Sequence, residues 1–253
     1  MKIIISYLET ESSPVSCLAA MLKNAGHLVK CIPRVKASKS LFKHSDMVIS
    51  LGGDGTFLRN SRYLEDTPIL GINPNPKEKE GFFTAIDLAD FSPEKLQKFK
   101  ILELPRLSCK INGKLQQHLA VNEIYFGKRK SWHVAEYELA LGKRQEFQRS
   151  SGVIVTTGAG STAWYHSAGG KPFSILQRNV KFVVREPYRG RINHPSLTSG
   201  SLGKLRIISK MDDGILVVDS FGGGVSLPYN SEITIQISKP LRVMSFKAAR
   251  IRW

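Results

Sequence analysis

Cysteine is scarce in this sequence: Cys17, Cys31 and Cys109 are the three in 253 residues. They stand far apart, are odd in number and form no C-x-x-C pair, which argues against both a disulfide framework and a thiolate zinc site. Unpaired, reduced and mostly buried thiols are expected. The six histidines show no zinc spacing, so no structural metal is assigned. Long apolar runs are missing too, and none approaches the ~18 residues that a membrane helix requires. The stretch Met1-Lys2-Ile3-Ile4-Ile5-Ser6-Tyr7 is too short and too β-branched for a signal peptide and resembles no Arg-rich presequence. It reads as a first strand, and a cytoplasmic location is expected. Two common nucleotide-binding signatures are also absent. There is no Gly-x-x-x-x-Gly-Lys-Ser/Thr loop and no Asp-Phe-Gly.

Acidic residues are few. Against 37 Lys and Arg there are 21 Asp and Glu, a net charge of +16. Such a field favours an anionic partner. Nucleic acid, or a dinucleotide together with a triphosphate, would each satisfy it, and so would a merely solvated basic surface. The basic residues are scattered, with small knots at Lys128-Arg129-Lys130 and Lys143-Arg144. No nucleic-acid-binding motif and no basic helix with reading side chains accompanies them. Neither a nucleic-acid nor a membrane partner is expected.

What is present is a soluble globular pattern in two parts. Through residue 100, strand and helix alternate. Lys2–Tyr7 is a β-rich run, Ser13-Pro14 opens a helix with Val15, Leu18, Ala19 and Leu22 at helical spacing, and Gly26 stops it. Leu28–Ile32, Asp46–Leu51 and Pro68–Ile72 read as strands, a helix is expected from near Thr56 to about Leu64, and Ser92-Pro93-Glu94 starts another. That alternation implies an α/β domain over residues 1–100, a parallel sheet with flanking helices. Residues 101–253 read as a mostly β domain, with Ser161–Ala168 its one helical stretch. The last segment is allowed to return to the first domain.

The sharpest signal is Val48-Ile49-Ser50-Leu51-Gly52-Gly53-Asp54-Gly55-Thr56. A buried strand delivers a glycine turn and a helix follows. Glycines let the backbone approach a phosphate, and free N–H groups at the helix start favour an anion. A carboxylate placed there would repel such a ligand, so Asp54 needs a role. It could take a proton from a hydroxyl or hold a metal that bridges phosphates. Both fit phosphoryl transfer; a tight turn with Asp54 as helix cap is the plain alternative.

The GGDGT stretch resembles that of NAD kinases, and of the diacylglycerol and sphingosine kinases that share their fold. Further segments choose among these. Ala120-Val121-Asn122-Glu123-Ile124 resembles the "LNE" strand of NAD kinases, and Thr157-Gly158-Ala159-Gly160-Ser161-Thr162-Ala163-Trp164 resembles their second glycine turn. Ala168-Gly169-Gly170, Arg185-Glu186-Pro187-Tyr188 and Val217-Val218-Asp219 follow in family order. The details look most like the mitochondrial-type enzymes: Gly71-Ile72-Asn73 with Pro76 and Glu80-Gly81, then Arg149-Ser150-Ser151-Gly152, then Trp164. Ser151 stands where Asp is usual in bacterial-type members, and Trp164 where Tyr is usual.

The resemblance implies the NAD kinase/diacylglycerol kinase-like fold and transfer of the terminal phosphoryl group of ATP, or of polyphosphate, to the 2′-hydroxyl of the adenosine ribose of NAD. Asp54 would be the catalytic base. Gly52, Gly53 and Gly55 would line phosphates and Arg59 would reach an anion. Asn122 and Glu123 would hold adenine, phosphate or ribose. As neighbours on a strand they should point to opposite faces unless the strand bends. Arg149 would pair a phosphate, Thr162, Ala163 and Ser167 would line the nucleotide pocket, and Trp164 would stack on a ring. Magnesium or another divalent cation would arrive with the donor, and a homodimer or homotetramer is implied. Gly158-x-Gly160-x-x-Ala163 also mimics a dinucleotide fingerprint, but no acidic residue follows at the required distance. Two alternatives stay open: a non-catalytic NAD(P)-binding protein on the same fold, and a lipid kinase of the diacylglycerol kinase type.

Overall fold

The computed structural model describes residues 1–79, 81–191 and 194–245. The chain divides into two compact units. One comprises Met1–Leu104 with Leu241–Trp253, and the other Pro105–Pro240.

In the first unit the order is β1 (Lys2–Tyr7), α1 (Ser12–Asn24), β2 (Leu28–Pro33), α2 (Lys39–Phe42), β3 (Met47–Leu51), α3 (Asp54–Ser61), β4 (Ile69–Asn73) and β5 (Thr84–Asp87). The strands pair in parallel as β2-β1-β3-β4. β5 pairs with the end of β4, and Val243 pairs in parallel with Ile69. Every residue of β3 and β4 is buried, as expected for a sheet covered on both faces. Val15, Leu18, Ala19 and Leu22 of α1 pack on Ile3, Ile5, Met47, Ile49 and Leu70. Burying each of the valine, leucine, isoleucine and methionine side chains among these contributes roughly 1.5–3 kcal/mol. The order 2-1-3 has a physical consequence. The connection leaving β1 runs one way and the one leaving β3 runs the other, so the chain parts at the carboxyl ends of β1 and β3. Open α/β sheets bind ligands at such a parting, and Gly52-Gly53-Asp54 lies there.

The second unit is antiparallel. β6 (Lys100–Ile111), β7 (Lys114–Leu115), β8 (Glu123–Lys128), β9 (Ala135–Leu141), β10 (Arg144–Ser150) and β11 (Val153–Thr156) come first. A short 3-10 turn, Gly160–Thr162, leads into α4 (Trp164–Ser167). Then follow β12 (Val180–Val184), β13 (Ser199–Leu202), β14 (Lys204–Ser209), β15 (Gly214–Val218), β16 (Phe221–Leu227) and β17 (Glu232–Ser245). One sheet runs β13-β12-β11-β8-β15-β16. In the other, β10, β9, β14 and β17 pair in that order, and β6 pairs with β17. Phe126, Val153, Phe182 and Leu216 of the first sheet share a core with Tyr137, Leu139, Ile207 and Ile235 of the second, the alternating pattern of a sandwich. No helix among the described residues is long and apolar enough to cross a membrane.

Several expectations change in detail. The helix after the glycine turn starts at Asp54 rather than Thr56, because Gly53 already sits in the extended capping conformation. It ends at Ser61. The single helix expected over Ser161–Ala168 is two short pieces broken at Ala163, whose ψ of −128° is not helical. The thiols are mostly not buried. Cys109 is, but Cys17 and Cys31 are exposed. Cys17 lies off the face of α1 that Val15, Leu18 and Leu22 bury, and Cys31 lies on β2, the edge of its sheet.

Candidate functional site

Within the first unit the site is built on the turn from β3 to α3. Gly52 has φ +147°, and a side chain there would place a carbon 2.7 Å from Thr56 Oγ1. Only glycine makes this turn without strain. Asp54, the first residue of α3, projects toward the segment before β5. The amide of Phe82 donates to Asp54 Oδ2 at 3.0 Å and that of Phe83 to Oδ1 at 2.8 Å. Phe83 is fixed in turn by stacking on Phe57 of α3, with ring centroids 4.8 Å apart and planes 4° apart. A negative charge at a helix N-terminus is also favoured by the helix dipole. The carboxylate is thus oriented from both sides and is only half-buried.

The helix that carries it is aligned by a polar bolt that sequence reading missed. Asn60 is fully buried, as are Ser6 of β1 and Ser50 of β3. Ser6 Oγ donates to Asn60 Oδ1 at 2.8 Å, and Asn60 Nδ2 donates to Ser50 Oγ at 3.1 Å. The three residues are remote in sequence, and nothing in their local pattern announces the contact. Arg34, at the end of β2, was also missed. Its Nη1 donates to Thr56 Oγ1 at 3.2 Å, and its Nε lies 3.7 Å from Glu9. Hydrogen bonding by Glu9's own backbone amide, opposed next by desolvation and supported by the Val35 amide and the charges of Arg34 and Arg59, holds the Glu9 carboxyl below its usual range. The Nε atoms of Arg34 and Arg59 are buried with no hydrogen-bond partner among the described residues. Both guanidinium groups act on the Glu9 carboxylate, Arg34 also reaches Thr56 in the first turn of α3, and each keeps one N–H that an anion could accept from.

Within the second unit, Asn122 lies just before β8 in a bend, and Glu123 is the first residue of that strand. Asn122 thus lies outside the strand, and strand alternation does not fix its direction relative to Glu123. The carbonyl of Asn122 accepts from Thr157 N at 2.9 Å and Thr156 Oγ1 at 3.1 Å. The second glycine turn lies so close that a side chain at Gly160 would collide with the backbone of Asn122. Asn122 Oδ1 and Glu123 Oε2 are buried and have no hydrogen-bond partner among the described residues. Unpaired buried oxygens are costly, about 1–3 kcal/mol each, so each calls for a partner such as a ligand or a bound water. Burial first, then the charge of Asp219, push the Glu123 carboxyl up to about 8, with a hydrogen bond from Ser220 opposing.

Of the remaining expected site residues, Thr162, Ala163, Trp164 and Ser167 lie on the second glycine turn and the short helix after it, Arg149 on β10, and Gly55 in α3. Trp164 is half-buried, tilted against Tyr125 at 4.9 Å, with the Arg185 guanidinium 5.2 Å from its ring centre. Thr162 is half-buried and Ala163 exposed. Ser167 is exposed, with its hydroxyl on the Ala163 carbonyl at 3.4 Å. Arg149 pairs with Glu136 at 2.7 Å and lies over Tyr188, so its charge is already engaged. Gly55 is exposed at the start of α3.

A family model described as the ATP-NAD kinase N-terminal domain matches residues 6–99. The NAD kinase of Halobacterium salinarum is 31% identical over 209 residues, which cover 76% of this chain and 72% of that protein. The chain belongs to the NAD kinase family. Another NAD kinase, from Archaeoglobus fulgidus, is 28% identical over 236 residues, 87% of this chain and 90% of that one. A crystal structure of an NAD kinase from Archaeoglobus fulgidus in complex with ATP superimposes with a TM-score of 0.80 at 26% identity, covering 99% of this chain and 95% of that chain. A yeast NADH kinase complexed with NADH gives 0.81 at 17% identity, covering 100% of this chain and 85% of that one, and shares the fold. An NAD kinase requires a nucleophilic hydroxyl, a phosphoryl donor and a group to take the proton. Asp54 has the chemistry of that last group, and the two orphaned oxygens have the chemistry of a nucleotide contact.

Proposed function

We propose that this NAD kinase family member transfers the terminal phosphoryl group of ATP to the 2′-hydroxyl of the adenosine ribose of NAD, giving NADP and ADP. The observation that carries this reading is the pair of buried, unpaired oxygens on Asn122 and Glu123. They suit the exocyclic amine and ribose hydroxyls of an adenosine, whereas diacylglycerol has a single hydroxyl to donate, and that one is the phosphoryl acceptor. In the reaction, Asp54 accepts the hydroxyl proton as the 2′-oxygen attacks the γ-phosphorus, and the bond to the β-phosphate oxygen breaks to release ADP. The donor enters as its magnesium complex, and most of the acceleration comes from positioning and charge neutralisation. Gly52, Gly53 and Gly55 offer backbone to the phosphates, and Arg59 offers its guanidinium. Thr162, Ala163 and Ser167 line the nucleotide, Trp164 stacks on a ring, and Arg149 reaches a phosphate once released from Glu136. The basic surface suits inorganic polyphosphate as a second donor. A homodimer or homotetramer and a cytoplasmic location belong to the same proposal.

The test is NADP production with ATP or polyphosphate against NAD or NADH, in all four pairings. NADP from ATP and NAD is the expected result. Tight NADP binding with no transfer from any donor would make the protein a nucleotide-binding module. Label passing from ATP to diacylglycerol but not to NAD would make it a lipid kinase.

A further inference from the structure

The bend at Val121–Glu123 has an unusual hydrogen-bond pattern. The amides of Val121, Asn122 and Glu123 all donate to the carboxylate of Asp219, at 2.8, 2.8 and 3.1 Å. Asp219 N donates back to the Glu123 carbonyl at 2.9 Å. On the carbonyl side, Val121 O accepts from Thr157 Oγ1 at 2.5 Å, and Asn122 O accepts from Thr156 and Thr157. The segment's backbone is therefore satisfied largely by a carboxylate and two threonines. Asp219 and Ser220 reach this arrangement with φ of +50° and +55°. Left-handed conformations in non-glycine residues cost about 1–2 kcal/mol each, and they persist where surrounding bonds over-determine them.

We propose that Asp219 is a positioning residue of the acceptor site, whose carboxylate fixes Val121–Glu123 in the bend that lets Asn122 and Glu123, neighbours in sequence, both offer buried oxygens to the dinucleotide. This rests on the NAD-binding reading above and extends it to a residue that touches no substrate. Asparagine cannot replace Asp219. It has one acceptor oxygen where the amides use two, and its NH2 would face an N–H. The same charge acts on Glu123. Burial first and then the charge of Asp219 push the Glu123 carboxyl up to about 8, which favours its protonated form at neutral pH. Glu123 then meets the ligand as a hydrogen-bond donor as well as an acceptor.

Asp219→Asn and Asp219→Glu in the full chain test this, by calorimetric titration with NAD and by steady-state kinetics with NAD and ATP varied separately. Asp219→Asn is expected to weaken NAD binding and raise its KM by about tenfold or more, the loss of one charge-assisted hydrogen bond, with the KM for ATP within about twofold. In the wild type the KM for NAD is expected to rise with pH as Glu123 loses its proton, and in Asp219→Asn that rise is expected at lower pH, because a charge that disfavours ionisation of Glu123 is gone. Asp219→Glu keeps the charge but displaces it by one methylene. It is expected to weaken NAD binding as well, and it carries the test if Asp219→Asn does not fold. Unchanged affinity for NAD in a folded variant overturns the positioning role. So does a loss of active protein with KM intact, which is what a purely structural residue would give. If the wild type turns over NAD but the variants match it, only this inference fails; if the wild type neither binds nor phosphorylates NAD, the family reading fails and this one with it.

Discussion

The amide of Phe83 donates to the carboxylate of Asp54 at 2.8 Å, although the two residues are 29 apart in the chain. The glycine turn supplies the acid, but the segment entering β5 aims it. Phe83 stacks on Phe57 three residues beyond Asp54, so helix, acid and aiming amide form one packed unit. A carboxylate held by two amides is pre-oriented, and pre-orientation is what a proton acceptor in phosphoryl transfer needs.

Asp54→Asn removes the proposed proton acceptor while keeping its size. Turnover is expected to fall by about 10²–10⁴-fold, the usual share of a general base, while NAD binding measured by calorimetry stays within a few fold. Full activity in this variant would refute the assignment.

Gly52→Ala tests the turn. With φ at +147° and a contact of 2.7 Å to Thr56 Oγ1, the added methyl group must displace the hydroxyl that Arg34 bonds. A loss of about 1–3 kcal/mol in urea unfolding is expected, together with reduced activity. A variant as stable and active as the wild type would show that the turn tolerates a side chain.

Asn60→Ala removes the bolt between α3 and strands β1 and β3. It leaves the hydroxyls of Ser6 and Ser50 buried without this partner, and a cost of about 2–3 kcal/mol is expected. Equilibrium unfolding reads it directly.

Glu123→Gln tests the buried acid through pH. The folded-state value of about 8 lies above the ordinary 4.5. The unfolded chain therefore releases this proton first, and the wild type loses stability as pH rises from about 4.5 to about 8. The variant lacks that slope. The difference in unfolding free energy between the two proteins is expected to move against the wild type across this window and to level off above it. A parallel pair of stability curves would place Glu123 in a water-like environment.

Thiol reactivity follows from exposure. Burial pushes the Cys109 thiol up to about 12 and also raises Cys31, the latter opposed by Lys23. In the native protein an aromatic disulfide reagent is expected to label Cys17 fastest and Cys31 more slowly, and Cys109 only after unfolding.

The sequence by itself determined the α/β first part, the β-rich second part and the glycine turn that presents Asp54. These depend on local causes: alternation of apolar residues, a proline and a glycine bounding α1, and a glycine-rich turn after a buried strand. It also singled out Asn122 and Glu123, through resemblance of a short segment. Only the tertiary structure decided what holds those residues in place. The Asn60 bolt, the Phe82 and Phe83 amides on Asp54, and the Asp219 carboxylate on three amides each join residues ten to 98 positions apart. Such pairings leave no periodic trace, because a backbone amide is the same in every residue and a lone Asn or Asp reads as surface. The bend at Asn122 and Glu123 is likewise set by contacts from the ends of the two neighbouring strands of the same sheet, not by the propensities of the two residues themselves.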